Sequence, residues 1–372
     1  MPQLSLATTT VDNHKFVASE WIGRGKTYPS ADTPDFILAA RREVLSIPEK
    51  HASLLPATSL SVLDLLALKL QAQPSNYVTP EAERAFSFED PNDDLPALSK
   101  RRIPPDAFLR KLHKAFGPAW FNGAQSIVDT GFKQSRVPPY ALTYWSEMSI
   151  ILVKKATWQR AEGWLTRWER EPGFLEEADH ARILMGSLAW DAQIQALGSD
   201  TSAENLAGLL SEDWLDDEHI NMLLQEVYSR ARLDPTLSRK VAVLPLVLQQ
   251  VISNARMRSN WTHPLLDRCS RYITSGRKHL YFPVNVGGVH WVPCVIDFEA
   301  QVVRYGDSLL STRENTSMET IIQDLQAWLL HAFQKTFTNK GNTLAHGRQD
   351  DTHSCGVCTV NAIAPVVATI II

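Results

Sequence analysis

Hydrophobic residues recur with a helical period over residues 140–197. One stripe at this spacing consists of Trp158, Ala161, Leu165 and Trp168. Tryptophans spaced in this way are typical of a packed helix core, and a ligand platform is the less favoured interpretation. Because Pro172 interrupts the pattern, we predict one helix before it and a second helix over residues 175–197.

Shorter apolar runs with strand character begin beyond the polar stretch 198–202, which we interpret as a linker. Four such runs lie at 241–244, 279–286, 290–297 and 302–305. The last two flank a short connection and predict a β-hairpin. Helical patterns occupy 216–231 and 317–334, and the first begins with Asp216 and Asp217, where an N-cap favours acids. This mixture predicts an α+β domain.

Prolines interrupt the first third of the chain. Fourteen of the 21 prolines fall in residues 1–139, so we interpret residues 1–56 and 71–105 as loop or partly disordered. Between these stretches, the apolar run at 60–70 predicts a helix. A short helix is predicted after Pro105, from the four-residue spacing of Phe108, Leu112 and Phe116.

The predicted organisation has three parts. A partly disordered, proline-rich region covers residues 1–105, and a helical region of unassigned function covers residues 106–197. The α+β domain covers residues 201–372, and all four cysteines lie in it. The N-terminal region is therefore expected to be mainly α-helical, with a docking or regulatory role.

The composition excludes several classes of protein. Its 44% hydrophobic residues suffice for a core, which excludes disorder throughout. With 37 Lys and Arg against 41 Asp and Glu, the chain lacks the basic excess of a sequence-independent nucleic-acid binder, and no nucleic-acid partner is expected. Four cysteines in 372 residues do not make a disulfide scaffold.

No targeting or membrane segment stands out in the sequence. The first residues have neither the basic nor the apolar region of a signal peptide. The longest apolar stretch, 362–372, is interrupted by Pro365 and is shorter than the about 20 residues that a span needs. We expect an intracellular protein of the nucleus or cytoplasm, without a membrane partner. A basic cluster could serve nuclear import, although a solvated helix face is the favoured explanation for it: Lys100, Arg101, Arg102, Arg110, Lys111 and Lys114.

Four polar residues of the C-terminal part could form one catalytic site: His290, Asp307, Gln349 and Cys355. Thiol hydrolysis needs a thiolate, an imidazole that carries the proton and an acceptor that fixes the imidazole tautomer. It also needs N–H donors for the oxyanion, which Gln349 and the Cys355 backbone could supply. Cys355 opens an apolar helical run, and a helix N-terminus lowers the pKa of a thiol. Gly356 has no side chain that would obstruct the substrate.

Each of these residues also has a structural explanation when it is taken alone. A histidine before a tryptophan on a strand usually packs against aromatic neighbours, and an aspartate after a strand usually forms a turn. Free cysteines are mostly small buried hydrophobic residues, and we interpret Cys269 and Cys294 in this way. The order and spacing of the four residues, rather than any single one, favour catalysis.

In this order the C-terminal part resembles the Ulp-type family of ubiquitin-like protein proteases, which includes SUMO and sentrin proteases and is related to adenoviral proteases. The family places His, Asp, an oxyanion Gln and then Cys-Gly in sequence, as this chain does. A second motif agrees, because the family opens its domain with Trp-Leu-x-Asp-x-x-Ile-Asn and residues 214–221 are WLDDEHIN. The family tryptophan after the catalytic histidine corresponds to Trp291. The resemblance covers residues 201–372.

The resemblance implies a papain-like fold with a central mixed sheet and flanking helices. It also implies a peptidase that cleaves after the Gly-Gly end of a SUMO-like modifier, so the expected partners are the modifier and its conjugates, and no cofactor or metal is expected. Trp214 and Trp291 would close a narrow tunnel over the tail, and Asp217 would help to hold the docking region. The other roles follow the family order, with Cys355 as nucleophile, His290 as base, Asp307 as its partner and Gln349 as oxyanion donor.

Two features depart from the family pattern. Ser354 stands where the family usually carries an acid, so we expect a different geometry in the loop before the nucleophile. The sequence also stops 17 residues after Cys355, where the family usually continues. The apolar residues 369–372 therefore predict an interrupted core element and reduced activity.

Three other interpretations stay open. Cys355 and Cys358 form a CxxC motif at a helix start, as in redox dithiols, although only 14 residues follow it. A zinc site could combine these cysteines with His346 and His353, but a single CxxC with irregular histidine spacing is a weak signal. A protease-derived module could also bind a modifier without cleaving it.

Overall fold

The computed structural model describes residues 35–71, 81–93, 99–129, 135–309 and 316–364. The chain divides into two compact units, made of residues 1–159 with 180–190 and of residues 160–179 with 191–372. Residues 1–34 of the predicted disordered region and the apolar end at 369–372 lie outside the described residues. The three-part division by sequence stays a prediction.

Helices dominate the described part of the first unit. In chain order the helices up to residue 190 are α1 (Asp35–Leu45), α2 (Val62–Ala67), α3 (Asp106–Phe121), α4 (Ala141–Trp168) and α5 (Leu175–Ser187). The end of α4 and the start of α5, within residues 160–179, belong to the second unit. A small antiparallel sheet has the order β1 (Phe86–Ser87), β2 (Ser126–Asp129) and β3 (Ser135–Val137). The helices predicted at 60–70, after Pro105 and before Pro172 are confirmed.

The short helix α2 begins where local polar chemistry dictates. The Ser61 hydroxyl accepts the Asp64 N–H over 3.1 Å, and the Asp64 carboxylate accepts the Ser61 N–H over 3.2 Å. This reciprocal capping box satisfies two backbone donors that the first helical turn leaves without partners.

Two predictions of irregular or helical structure are wrong. Helix α1 lies within residues 1–56, which the prolines had suggested to be loop, and its Ile37 is fully buried. Helix α5 ends at Ser187 rather than at residue 197. The following residues form a hairpin of β4 (Gln193–Ala196) and β5 (Ser199–Ser202), so the supposed linker is a strand. Gly198 turns this hairpin with φ of +99°, a conformation that favours glycine.

The basic cluster around residue 100 is not a uniform solvated face. Arg101 is only 5% exposed. Its guanidinium pairs with Asp93 and lies 3.5 Å from the Asp129 carboxylate. This buried cation belongs to the interior of the first unit, so an import receptor could not contact it at the surface.

A five-stranded mixed sheet forms the centre of the second unit. Its strand order is β10 (Thr338–Asn342), β9 (Val302–Tyr305), β8 (His290–Asp297), β7 (His279–Val286) and β6 (Val241–Val243). The middle strands pair antiparallel, whereas β10 and β6 pair in parallel with their neighbours. The four predicted strands, the hairpin and the central mixed sheet are confirmed.

Helices cover this sheet. In chain order they are α6 (Asp217–Leu233), α7 (Pro235–Lys240), α8 (Val247–Met257), α9 (Pro264–Thr274), α10 (Thr316–Phe333) and α11 (Cys355–Ile363). Helices α6, α10 and α11 were predicted, whereas α7, α8 and α9 were not. The α+β class is therefore confirmed. None of the described helices has the length and apolar character that crossing a membrane requires.

Alternation along the central strands sends successive side chains to opposite faces of the sheet. Phe282 and Cys294 enter the core that α8, α9 and α10 cover. Tyr281, Trp291 and Val295 enter the core that α6 and α11 cover. Both faces of the central strands are thus buried, and the second face carries the helix that begins with Cys355.

The start of α6 is fixed by the predicted N-cap. The Asp216 carboxylate accepts the N–H of Glu218 over 3.0 Å and that of His219 over 3.1 Å. Leu215, the preceding residue, is buried in the same core as Cys355. The cap therefore anchors the segment that contains Trp214 beside the helix of the expected nucleophile.

Candidate active site

Strand pairing brings His290 and Asp307 together. His290 is the first residue of β8, and Asp307 lies just beyond the end of β9. Because the two strands are antiparallel, the chain that leaves β9 runs along the start of β8. The Gly306 N–H donates to the Pro293 carbonyl over 3.1 Å, which extends the pairing toward His290.

Asp307 is held as an ionised acceptor for the imidazole. Its Oδ1 lies 2.9 Å from the His290 Nε2 and also accepts the Leu309 N–H over 3.0 Å. Both partners are buried, with His290 8% and Asp307 7% exposed. The hydrogen bond from His290 holds the pKa of the Asp307 carboxyl below its usual value, although burial opposes this. The carboxylate can therefore fix the orientation and tautomer of the imidazole.

Cys355 completes the chain of contacts. The His290 side chain and the backbone N–H groups of Trp291 and Gly356 lie where their hydrogen bonds favour the thiolate of Cys355. Burial raises the pKa of the thiol, but these hydrogen bonds and the charge of His290 outweigh burial, so the pKa of Cys355 lies below its usual value. Since the His290 Nε2 faces Asp307, Nδ1 is the ring nitrogen left for the thiol.

The imidazole of His290 is an unusually strong base in this setting. Burial lowers its pKa, but the hydrogen bonds to Asp307 and Cys355 and the negative charges of both raise the pKa to about 9. A raised imidazole pKa and a lowered thiol pKa favour an imidazolium–thiolate pair. Such a pair supplies a nucleophile and a proton donor at neighbouring positions.

Gln349 lies buried beside the turn that carries Asp307, and it is 7% exposed. Its Oε1 accepts the Ser308 hydroxyl over 3.1 Å, and its backbone N–H donates to the Ser308 carbonyl over 3.0 Å. Its Nε2 donates to the Asp351 carboxylate over 3.2 Å. The carboxamide is thus fixed between the turn of Asp307 and the loop that leads to Cys355, and its role as an oxyanion donor stays a prediction.

The residues expected to contact substrate lie at the start of α6 and on β8. Trp291 is 5% exposed, and its Nε1 donates to the Leu215 carbonyl over 2.8 Å, which ties its indole to the segment next to Trp214. Trp214 itself is 52% exposed. Asp217 is the first residue of α6, where burial and the neighbouring Asp216 raise the pKa of its carboxyl. The tunnel and docking roles of these residues stay predictions.

The explanation given for Gly356 needs correction. A Cβ atom at this position would lie 3.0 Å from the Cβ of Leu215 and 3.0 Å from the Cδ1 of Ile220. Gly356 therefore faces the core under the start of α6, not an open approach for substrate. The glycine permits α11 to pack closely against α6, and its backbone N–H supports the thiol of Cys355.

The other cysteines differ from Cys355. Cys269 and Cys294 are fully buried in the core under α8, α9 and α10, as predicted. Burial raises the pKa of Cys269 to about 12 and raises that of Cys294 as well. Burial and the charges of Asp351 and Cys355 raise the pKa of Cys358, so this residue is a neutral thiol next to the candidate nucleophile.

The alternative zinc site is not formed by the described residues. The Nδ1 of His346 bonds to the Leu344 carbonyl over 2.7 Å, and that of His353 faces the Asp351 carboxylate at 3.8 Å. Within the described ranges, no three side chains of His, Cys, Asp or Glu are arranged to hold a metal ion.

Three residues that the sequence analysis did not single out hold the site in place. Asn342 on β10 accepts the Asp307 N–H over 2.8 Å, Ser308 fixes the carboxamide of Gln349, and Asp351 connects that carboxamide to the loop before α11. Only Asp351 carries a local signal, because an aspartate among polar residues before a helix favours a turn. The contact of Asn342 depends on strand pairing and that of Ser308 on the meeting of two loops, and neither has a sequence signature.

Comparison with known proteins identifies the second unit more closely. Residues 213–367 match the model of the Ulp1 protease family, C-terminal catalytic domain, which confirms the predicted resemblance for this part of the chain. No curated protein matches the chain.

Several solved structures are similar to part of the chain. The C-terminal Ulp1 protease domain in complex with Smt3, the yeast ortholog of SUMO, is 15% identical; the match covers 48% of this chain and 77% of that chain, with a TM-score of 0.35. SUMO protease Ulp1 with its catalytic cysteine oxidised to a sulfenic acid is 16% identical over 51% of this chain and 82% of that chain, with a TM-score of 0.38. The Xanthomonas campestris effector XopD bound to ubiquitin is 18% identical; the match covers 43% of this chain and 79% of that chain, with a TM-score of 0.32.

The ionisation of Cys355 should depend on His290. We expect the rate of Cys355 alkylation by iodoacetamide to rise with pH through a midpoint below the usual thiol value of about 8.5. In His290→Asn the midpoint should move to higher pH, because burial still disfavours the thiolate while the neighbouring cation is lost. Mass spectrometry of the Cys358→Ser variant measures the alkylation of Cys355 without a contribution from Cys358. A midpoint that is the same with and without His290→Asn would contradict the ion pair.

The close packing at Gly356 predicts a loss of stability on adding a methyl group. Gly356→Ala should lower the free energy of unfolding by about 1–3 kcal/mol, because Leu215 and Ile220 must move. The matched control is Gly163→Ala within helix α4, where a Cβ meets nothing within 4 Å and alanine should stabilise the helix by up to about 1 kcal/mol. Urea unfolding measures both, and equal effects would disprove the packing explanation.

Proposed function

We propose, from the match of residues 213–367 to the Ulp1 protease family, that the chain is a cysteine peptidase that cleaves after the Gly-Gly end of a ubiquitin-like modifier. The observation that carries the proposal is the chain of contacts from Asp307 through His290 to Cys355. These groups are buried together at one end of the central sheet. Their pKa shifts have the directions that a thiolate nucleophile and its proton carrier require.

The reaction would begin with the thiolate of Cys355. It attacks the carbonyl carbon of the terminal glycine, and the carbonyl electrons move to oxygen to form a tetrahedral oxyanion. When the intermediate collapses, the His290 imidazolium protonates the leaving amine and a thioester remains. Neutral His290 then takes a proton from water, the hydroxide displaces the thiolate, and the modifier leaves with a free carboxylate. Asp307 holds the imidazole in place throughout.

The oxyanion would be bound by two N–H groups, those of the Gln349 carboxamide and the Cys355 backbone. The carboxamide is fixed at its oxygen by Ser308, which supports a preorganised donor. The first residue of α11 supplies the second donor, since the first N–H groups of a helix have no partner within the helix.

Selectivity for Gly-Gly would come from the two tryptophans. Trp291 is buried and tied to the Leu215 carbonyl, while Trp214 remains half exposed in the neighbouring segment. Flat indoles on either side of an extended chain leave room for glycine and exclude larger side chains. We propose that Asp217 helps to hold the body of the modifier, and that the modifier is SUMO-like and arrives as a precursor or a conjugate.

We also propose an intracellular place of action, in the nucleus or cytoplasm. The four cysteines of the chain are free thiols, and a thiolate nucleophile is best preserved in a reducing compartment.

An electrophilic modifier tests the proposal directly. We expect the full chain to form one covalent adduct with a modifier whose C-terminal carboxylate is replaced by a propargyl amide. The adduct should disappear in Cys355→Ser and persist in Cys358→Ser, the matched control one helical turn away, and intact-mass spectrometry measures both. SUMO-like and ubiquitin probes offered side by side identify the preferred modifier.

Each other outcome of this labelling points to another function. Binding of the modifier without labelling would replace the peptidase by a binding module. Labelling that depends on both cysteines would replace it by a dithiol mechanism.

The pH dependence of turnover tests the role of the imidazolium. We expect kcat/KM for a modifier–fluorophore conjugate to fall above a pH of about 9, because deprotonated His290 can no longer protonate the leaving group. In Asp307→Asn the alkaline limb should move to lower pH, since Asp307 raises the pKa of His290. An alkaline limb that stays in place in this variant would rule out control by the His290–Asp307 pair.

A further inference from the structure

Asp351 organises the loop that leads into the nucleophile helix. Its Oδ1 accepts the N–H groups of His353 and Ser354, each over 2.8 Å, and its Oδ2 accepts the Ser354 hydroxyl. The same pattern of contacts to the second and third following N–H groups occurs at Asp216, which caps α6. Asp351 therefore shapes the turn that delivers Cys355 to the first position of α11.

The same carboxylate also contacts Gln349. The Gln349 Nε2 donates to the Asp351 Oδ1 over 3.2 Å, while the Gln349 Oε1 accepts the Ser308 hydroxyl over 3.1 Å. An amide side chain has nearly the same shape after a half turn, so its partners decide which end carries the N–H groups. An ionised carboxylate can only accept, so it pairs with the N–H end of the amide and not with its oxygen, and Asp351 therefore fixes the nitrogen end.

The ionised state of Asp351 is itself secured by the loop. The hydroxyl and backbone N–H of Ser354, together with the other donors, hold the pKa of the Asp351 carboxyl far below its usual value. The carboxylate thus remains an acceptor wherever the thiolate of Cys355 can form. Its side chain is 38% exposed, so the contacts fix geometry without requiring a buried charge.

We propose that Asp351 is a positioning residue, which orients the Gln349 carboxamide toward the oxyanion and locks the turn before Cys355. The inference rests on the proposed function and names a residue on which it depends. The Gln349 Nε2 carries two N–H groups, and within the described residues it makes only the hydrogen bond to Asp351. The second N–H is left for the oxyanion. A carboxamide turned the other way would present its oxygen there and repel the developing charge.

Kinetics of three variants test the proposal. Asp351→Ala should lower kcat about 10- to 100-fold with little change in KM, because a misplaced donor affects the transition state and not substrate binding. Asp351→Asn should recover most of the activity, since its amide oxygen accepts the same N–H groups. The matched control Asp350→Ala removes an adjacent exposed carboxylate whose partner is Arg348 at 3.1 Å, and it should leave kcat unchanged. Melting temperatures show that each variant is folded.

A double variant separates positioning from a general structural role. Gln349→Ala should lower kcat about 10²- to 10³-fold. If Asp351 acts through Gln349, adding Asp351→Ala to the Gln349→Ala variant should lower kcat by less than about a further threefold. Fully multiplicative losses, or failure of Asp351→Asn to recover activity, would overturn the proposal.

A measurement without turnover distinguishes this inference from the proposed function. In NMR spectra of the protein, the side-chain amide resonances of Gln349 can be assigned because they are absent in Gln349→Ala. They should shift strongly in Asp351→Ala, less in Asp351→Asn and not in Asp350→Ala. Unchanged resonances in Asp351→Ala would reject the contact even if the enzyme is active. Shifted resonances in a chain that cleaves no modifier would retain the contact and reject the peptidase.

Discussion

The antiparallel pairing of β8 with β9 is the constraint on which the site depends. It places the residues that follow β9 alongside the first residues of β8, so Asp307 meets His290 although 17 positions separate them in sequence. A slip of one residue would turn Trp291 to the opposite face of the sheet, away from the core that it shares with Cys355. The contacts of the thiol with the Trp291 N–H and with His290 would then be lost together.

Burial opposes both charges of the site, and only their mutual contact reverses this. Enclosure alone would keep Cys355 as a thiol and His290 as a neutral imidazole. The thiolate and the imidazolium each supply the opposite charge that the other lacks, and Asp307 adds a second negative group on the far side of the ring. The three groups are therefore interdependent, because removing one leaves an uncompensated charge in a buried place.

Sequence patterns were sufficient where side chains alternate or repeat. The strands β7 and β8 are apolar, and the order of His290, Asp307 and Cys355 could be recognised without coordinates. Strand β10 (Thr338–Asn342) is polar and pairs at the edge of the sheet through its backbone, so periodicity could not reveal it. The same holds for the polar hairpin of β4 and β5.

The supporting contacts of the site were hidden for a different reason. Asn342 and Ser308 act on residues that only the fold brings near, and each is an ordinary polar residue in the sequence. Asp351 lies two residues from Gln349, and its local signal indicates only a turn. Gly356 was expected to leave room for substrate, whereas its surroundings show that the glycine lets α11 pack against Leu215 and Ile220.

Strand β8 is buried at all eight of its positions and has a bonded strand on each side. At residues 294–297, where both neighbouring strands pair with it, its amides can exchange with solvent only when the sheet itself opens, because neither face nor edge of the strand meets water there. Local fluctuations of surface loops therefore leave residues 294–297, the part of β8 just beyond the site, intact. Heat inactivation of the site should coincide with the cooperative melting of the whole sheet, so residual thiol reactivity becomes a gauge of the folded fraction.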